Sequence, residues 1–165
     1  MLAFARSFRF AFRGLTLCLR ERNFRFHLAL SAYMFGYLLL YDWFVLSRAE
    51  WAVLILSTAL VLAAETVNTA IEAVVNLASP GRHPLAARAK DAAAGAVLLC
   101  SIGAVAVGLV VMYQPAAFRA LVEYYRQKPL MLLVLGISLT ATGLFVFPDW
   151  GKKRTSGEQK FVSRT

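Results

Sequence analysis

Residues 64–99, AETVNTAIEAVVNLASPGRHPLAARAKDAAAGAVLL, decide the fold. The first half of this stretch ends a long apolar run and carries Glu65, Asn68 and Glu72 into it. Spacings of three and four put all three side chains on one face of an α-helix. Glu65 to Glu72 is two turns, about 10 Å of rise. Ser79-Pro80-Gly81-Arg82-His83-Pro84 reads as a turn, because Pro and Gly interrupt helices and reverse the chain. A second helix then opens with Arg88, Lys90 and Asp91 and runs straight into Ala92-Ala93-Ala94-Gly95-Ala96. These small residues meet Ala63, Ala64, Ala70 and Ala73 across the hairpin, and small faces let helix backbones approach closely. The stretch is a helical hairpin that brings acids, an amide and a lysine to one membrane surface.

Composition sets the class. Of 165 residues, 59% are hydrophobic and 16% charged, where soluble domains carry about 25% charged residues. Mean hydropathy is +0.61. The fold class predicted is an all-α integral membrane protein: an N-terminal amphipathic surface helix followed by a transmembrane helical bundle. The net charge of +9 is assigned to the membrane surface rather than to nucleic acid, since Lys and Arg collect on cytoplasmic segments and against anionic lipid. Cys18 and Cys100 lie in different helical stretches without metal-ligand spacing and read as small apolar residues, not a disulfide. No signal peptide is visible, so the first span is expected to target the chain itself.

Working outward, residues 1–27 carry six arginines and one acid, Glu21. Phe4, Phe8, Phe12, Leu15 and Leu19 recur at three or four, with Arg6, Arg9 and Arg13 on another face. That is an amphipathic helix lying in the interface. From spacing alone, Glu21 reads as a solvated partner of Arg20, Arg22 and Arg25. Spans are predicted over Leu28–Leu46, Trp51–Leu77 and Ala92–Tyr113, with Tyr41, Trp43 and Trp51 as an aromatic belt. Residues 114–129 read as an outer loop with room for a short interfacial helix. Residues 130–148 read as an extra transmembrane helix, dispensable for catalysis because the acids and Lys90 all precede Ala92. Residues 149–165 read as a basic tail. Lys and Arg number six in residues 1–27, three in 78–91 and five in the tail, against one and three in the two outer loops. This bias puts four spans in the membrane with both termini cytoplasmic.

Glu65 is the strongest chemical signal. A carboxylate deep in a membrane helix is expensive and usually functional, although a hydrogen-bonded packing role is the competing reading. Two helices packed this tightly could present carboxylates to a divalent cation and a lysine to a phosphate. The chain has no G-x-x-x-x-G-K-[ST] loop, no H-R-D or D-F-G, no G-x-S-x-G and no H-E-x-x-H. A small proton- or ion-conducting protein relaying charge through Glu65 and Glu72 is the alternative. It leaves Lys90-Asp91 and Glu21 on the same side unexplained. A lipid phosphatase would want histidine and arginine clusters that are missing.

E-x-x-N-T-A-I-E-A-V-V-N-L followed by H-P-L-A-A-R-A-K-D-A-A-A-G-A-V-L-L resembles the signature of the prokaryotic diacylglycerol kinase and undecaprenol kinase family. Phe12-Arg13-Gly14-Leu15 and Glu21-Arg22-Asn23-Phe24-Arg25-Phe26-His27 are similar to that family's amphipathic start. The resemblance covers residues 4–113, within which 28–113 would be a three-span kinase core. It implies a small membrane kinase, a homotrimer with shared sites, moving the γ-phosphoryl of MgATP to the hydroxyl of a lipid alcohol at the cytoplasmic face of the bacterial inner membrane. Carried over, Glu65 is the general base, and Glu21 and Glu72 hold Mg2+. Asn68 and Lys90 hold phosphoryl oxygens, and Asp91 orients Lys90. Arg13 and Gly14 are weaker nucleotide contacts. The hairpin's wording is closer to the undecaprenol branch. The fourth span, the basic tail and Asn76, where the family commonly has Asp, are departures.

Overall fold

In the computed structural model of the chain, which describes residues 2–148, the apolar runs become six helices and no strand. They are α1 (Leu2–Cys18), α2 (Arg22–Leu40), α3 (Arg48–Ala78), α4 (Pro84–Met112), α5 (Pro115–Gln127) and α6 (Pro129–Val146). Each boundary has a local cause. Ser47 Oγ accepts from Glu50 N–H while the Glu50 carboxylate accepts from Ser47 N–H, a reciprocal cap that starts α3. Pro84, Pro115 and Pro129 occupy the first turns of α4, α5 and α6, where a missing N–H costs nothing.

Three helices are long and apolar enough to cross a membrane among the described residues: α3, α4 and α6. The span predicted over Leu28–Leu46 is drawn differently. The helix runs from Arg22 to Leu40 and stops at Tyr41, and its first two turns carry Arg22, Asn23, Arg25 and His27. It lies antiparallel along α3, with His27 level with Glu65 and Phe35 stacked on Trp51. The single interfacial helix expected over 1–27 is broken. Arg20 N–H reaches Leu17 O and Glu21 N–H reaches Cys18 O, a tightened turn that ends α1 and leaves Glu21 at the N-cap of α2. Residues 114–129, expected as an outer loop with room for a short helix, hold the 13-residue α5, because Pro115 can begin a helix and the next proline lies beyond its end. The basic tail lies outside the described residues. Cys18 and Cys100 are both free.

Side chains are sorted for lipid rather than water. Leu99 is 73% exposed and Val110 81%, both on α4, a helix long and apolar enough to cross a membrane. The most extensive packing is between α3 and α4. Ala93 is buried in the second of these helices, and a methyl side chain there allows the close approach the sequence predicts. At the far end, Leu38, Phe44, Leu54, Val111 and Ala117 form a small core under Tyr41, Trp43 and Tyr124. Tyr41 stacks on Trp43 at 4.1 Å, and Lys128 lies 4.8 Å from the Tyr124 ring. Burial and the Tyr37 hydroxyl push the Tyr125 phenol up to about 12, so this belt stays neutral.

Replacing Ala93 by Leu should force α3 and α4 apart at a cost of about 1–3 kcal/mol, read as a lower thermal midpoint in detergent. The same measurement on lipid-facing Leu99→Ala should show little change. Equal effects of the two would contradict the close α3–α4 contact.

Candidate active site

The hairpin of α3 and α4 sets the site. Glu65 is 2% exposed, on the face of α3 turned toward α2. Its Oε1 lies 3.5 Å from His27 Nε2, too long for a good hydrogen bond. That oxygen and Asn68 Oδ1 are buried without a hydrogen-bond partner among the described residues. Buried polar atoms are nearly always paired. Two unpaired acceptors thus lie one turn apart on the same helix. One turn further, Asn68 Nδ2 donates to Glu72 Oε1 at 3.0 Å, so the amide fixes the half-buried carboxylate. The face predicted from spacing is therefore present, graded from buried Glu65 to half-buried Glu72.

Lys90 sits across the hairpin. Its Nζ donates to Asn76 Oδ1 at 2.6 Å. Asp91, expected to orient this lysine, is exposed, and the described partner is Asn76. A neutral amide holds the ammonium without cancelling its charge, as an aspartate would. Arg13 is exposed on α1, and Gly14 has open space where a Cβ would stand, so no close approach demands glycine there. α1 itself packs on α3. Glu21 is exposed at the α1–α2 turn, and its carboxylate makes no cap hydrogen bond.

Among the described residues no three His, Cys, Asp or Glu side chains gather closely enough to cage a metal ion. The donor chemistry fits a hard cation all the same. Mg2+ keeps much of its shell for water and phosphate and takes one or two carboxylates from the protein. Glu21 has no capping bond to give up, and Glu72 has one oxygen beyond its bond to Asn68.

Sequence reasoning missed His27, read only as part of an absent H-E-x-x-H. The signal that could have found it is its place six residues after Glu21, in a helix that must pass Glu65 on the return. It also missed Arg25, described below.

The sequence profile of the prokaryotic diacylglycerol kinase family matches residues 9–112. An undecaprenol kinase of Bacillus subtilis is 40% identical over 111 residues, covering 66% of this chain and 86% of that protein. A diacylglycerol kinase of Synechocystis sp. is 42% identical over 111 residues, covering 66% of this chain and 62% of that protein. No solved structure matches.

Asn76→Leu should free Lys90 and raise its rate of modification by an amine-specific reagent about threefold, a discounted value for a part-exposed charged hydrogen bond. Peptide mass spectrometry of the detergent-solubilised protein reads this rate. An unchanged rate would show that Asn76 does not hold the lysine.

Proposed function

The chain belongs to the prokaryotic diacylglycerol kinase family, and from that we propose how its hairpin works as a membrane lipid kinase. The substrates are MgATP and the hydroxyl of a membrane lipid alcohol, undecaprenol or diacylglycerol. The observation that carries this reading is Glu65 Oε1, an acceptor buried in an apolar helix that makes no hydrogen bond among the described residues and has only a 3.5 Å contact to His27. A lipid hydroxyl entering from the bilayer supplies the missing donor.

Phosphoryl transfer asks for positioning and charge neutralisation more than for covalent catalysis. Glu65 takes the proton of the lipid hydroxyl as its oxygen bonds the γ-phosphorus. The bond from that phosphorus to the bridging oxygen breaks, and its electron pair leaves with ADP. Asn68 holds Glu72 in place and offers its own carbonyl to the same cluster. Lys90, released from Asn76, neutralises phosphoryl oxygens. Glu21 and Glu72 would hold Mg2+, which when bound draws charge from the phosphates. Arg13, beside Gly14 on the surface helix, is left for the nucleotide's outer phosphates, and Asp91 for the rim.

Both relatives' names specify a lipid alcohol, at nearly the same identity, and the hairpin's wording favours the undecaprenol branch. The basic 78–91 segment supports a site on the cytoplasmic face of a bacterial inner membrane, and sharing of the site between three copies remains part of this reading. Charge conduction is less well supported. Beyond Glu65, the fully buried positions of α3 are the apolar Val61 and Leu54, and no second buried carboxylate follows it among the described residues.

Glu65→Gln keeps the size and polarity of the side chain and removes the base. It should retain nucleotide binding and lose phosphoryl transfer by about 10²-fold or more, measured as lipid phosphate formed in mixed micelles. Near-normal turnover would remove Glu65 from this role.

A further inference from the structure

Arg25 is 0% exposed. A buried guanidinium is tolerable only when its donors are satisfied, and here all five N–H groups are used. Nη1 donates to Leu19 O at 3.0 Å and to Arg20 O at 2.8 Å. Nε and Nη2 donate to Val146 O at 3.3 and 2.7 Å, and Nη2 also to Pro148 O at 2.7 Å. One edge of the plane therefore grips the turn before Glu21, and the other grips the end of α6. Both groups of carbonyls sit at helix C-termini, where orphan acceptors and the dipole favour a cation.

Arg25 also begins a row. Tyr33 and Tyr37 follow along α2, and Tyr41 at its C-cap, at multiples of four residues. Tyr33 Oη pairs with Ser138 Oγ at 3.1 Å and Thr142 Oγ1 at 3.0 Å on α6. Tyr37 hydrogen-bonds Tyr125, and Tyr41 donates to Tyr124 at 3.4 Å, both on α5. Each polar member of the row is matched by the segment after residue 114, which lies outside the family match. Between helices in lipid, such bonds replace the missing hydrophobic drive.

We propose that α5 and α6 are a positioning element of the kinase site: docked on this row, they hold through Arg25 the turn that presents Glu21 to the metal-bound nucleotide. The inference rests on the kinase reading above. Arg25 touches no reacting atom. It clamps the two carbonyls directly ahead of Glu21, and the end of α6 with the residues just after it, Val146 and Pro148, supplies the acceptors for three of its five hydrogen bonds. The extension is then a working part of the enzyme, not the dispensable span expected from the sequence.

The test compares the full chain, a chain ending at Gln127, Arg25→Gln, and the two changes combined. Mn2+ binding with a non-hydrolysable ATP analogue is followed by electron paramagnetic resonance, and amide hydrogen exchange is followed across residues 19–27. Each single change should weaken Mn2+ binding about tenfold, the scale of a charged hydrogen bond, and speed exchange in 19–27 by about tenfold or more. The combination should cost less than the product of the two, because both break one clamp. Should the shortened chain lose its fold, Arg25→Lys in the full chain carries the same expectation, with a smaller loss because ammonium cannot span both edges. Unchanged exchange and Mn2+ affinity in the folded variants, or losses that multiply, would overturn the proposal. Absence of phosphoryl transfer by the unmodified full chain would instead overturn the kinase reading, while the exchange result still judges the clamp.

Discussion

Two ionisable side chains are fully withdrawn from solvent among the described residues, Glu65 and Arg25, and the polar order of the bundle follows from the cost of burying them. They are handled in opposite ways. Arg25 is saturated, every donor spent on a carbonyl, and so serves as structure. Glu65 keeps one oxygen without a hydrogen bond among the described residues, 3.5 Å from His27, which is why the proposed reading makes it the site. α2 carries the arginine on its face toward α6 and brings His27 to the glutamate, which ties the saturated group and the open one to the same helix.

The hairpin was legible in the sequence because its signals are local. Three polar residues at helical spacing in an apolar run, a Pro- and Gly-containing turn and a small-residue face suffice to place Glu65, Asn68 and Glu72 together. α6 was legible for the same reason, as an uncharged run of spanning length. What escaped was pairing across the chain. Arg25 read as a solvated partner of Glu21, because nothing within residues 1–27 hints that Val146 and Pro148 will meet it. Lys90 read as a partner of its neighbour Asp91, yet the described bond crosses the hairpin to Asn76. The start of α2 was misplaced because three charged or amide residues in its first turn look like surface, and they are tolerated there only because α1 and α6 close over Arg25.

Chemistry and architecture divide cleanly. The α3–α4 hairpin carries Glu65, Asn68, Glu72 and Lys90, whereas Glu21 hangs on a turn outside it. A turn closed by two i→i−3 hydrogen bonds holds Glu21 only weakly by itself, and in the proposed clamp the guanidinium behind it makes up the difference. In this chain the same stiffness depends on a segment that the matching profile does not contain. Asn76 fits the same division: a neutral side chain tethers Lys90 across the hairpin.

The most direct measurement of the central claim uses ATP radiolabelled at its γ-phosphate, Mg2+, and the purified full chain in mixed micelles, with undecaprenol and diacylglycerol offered in parallel. A lipid kinase built on Glu65 yields labelled lipid phosphate from at least one of the two alcohols, and none once Mg2+ is chelated. Label confined to the aqueous phase with both alcohols would contradict it.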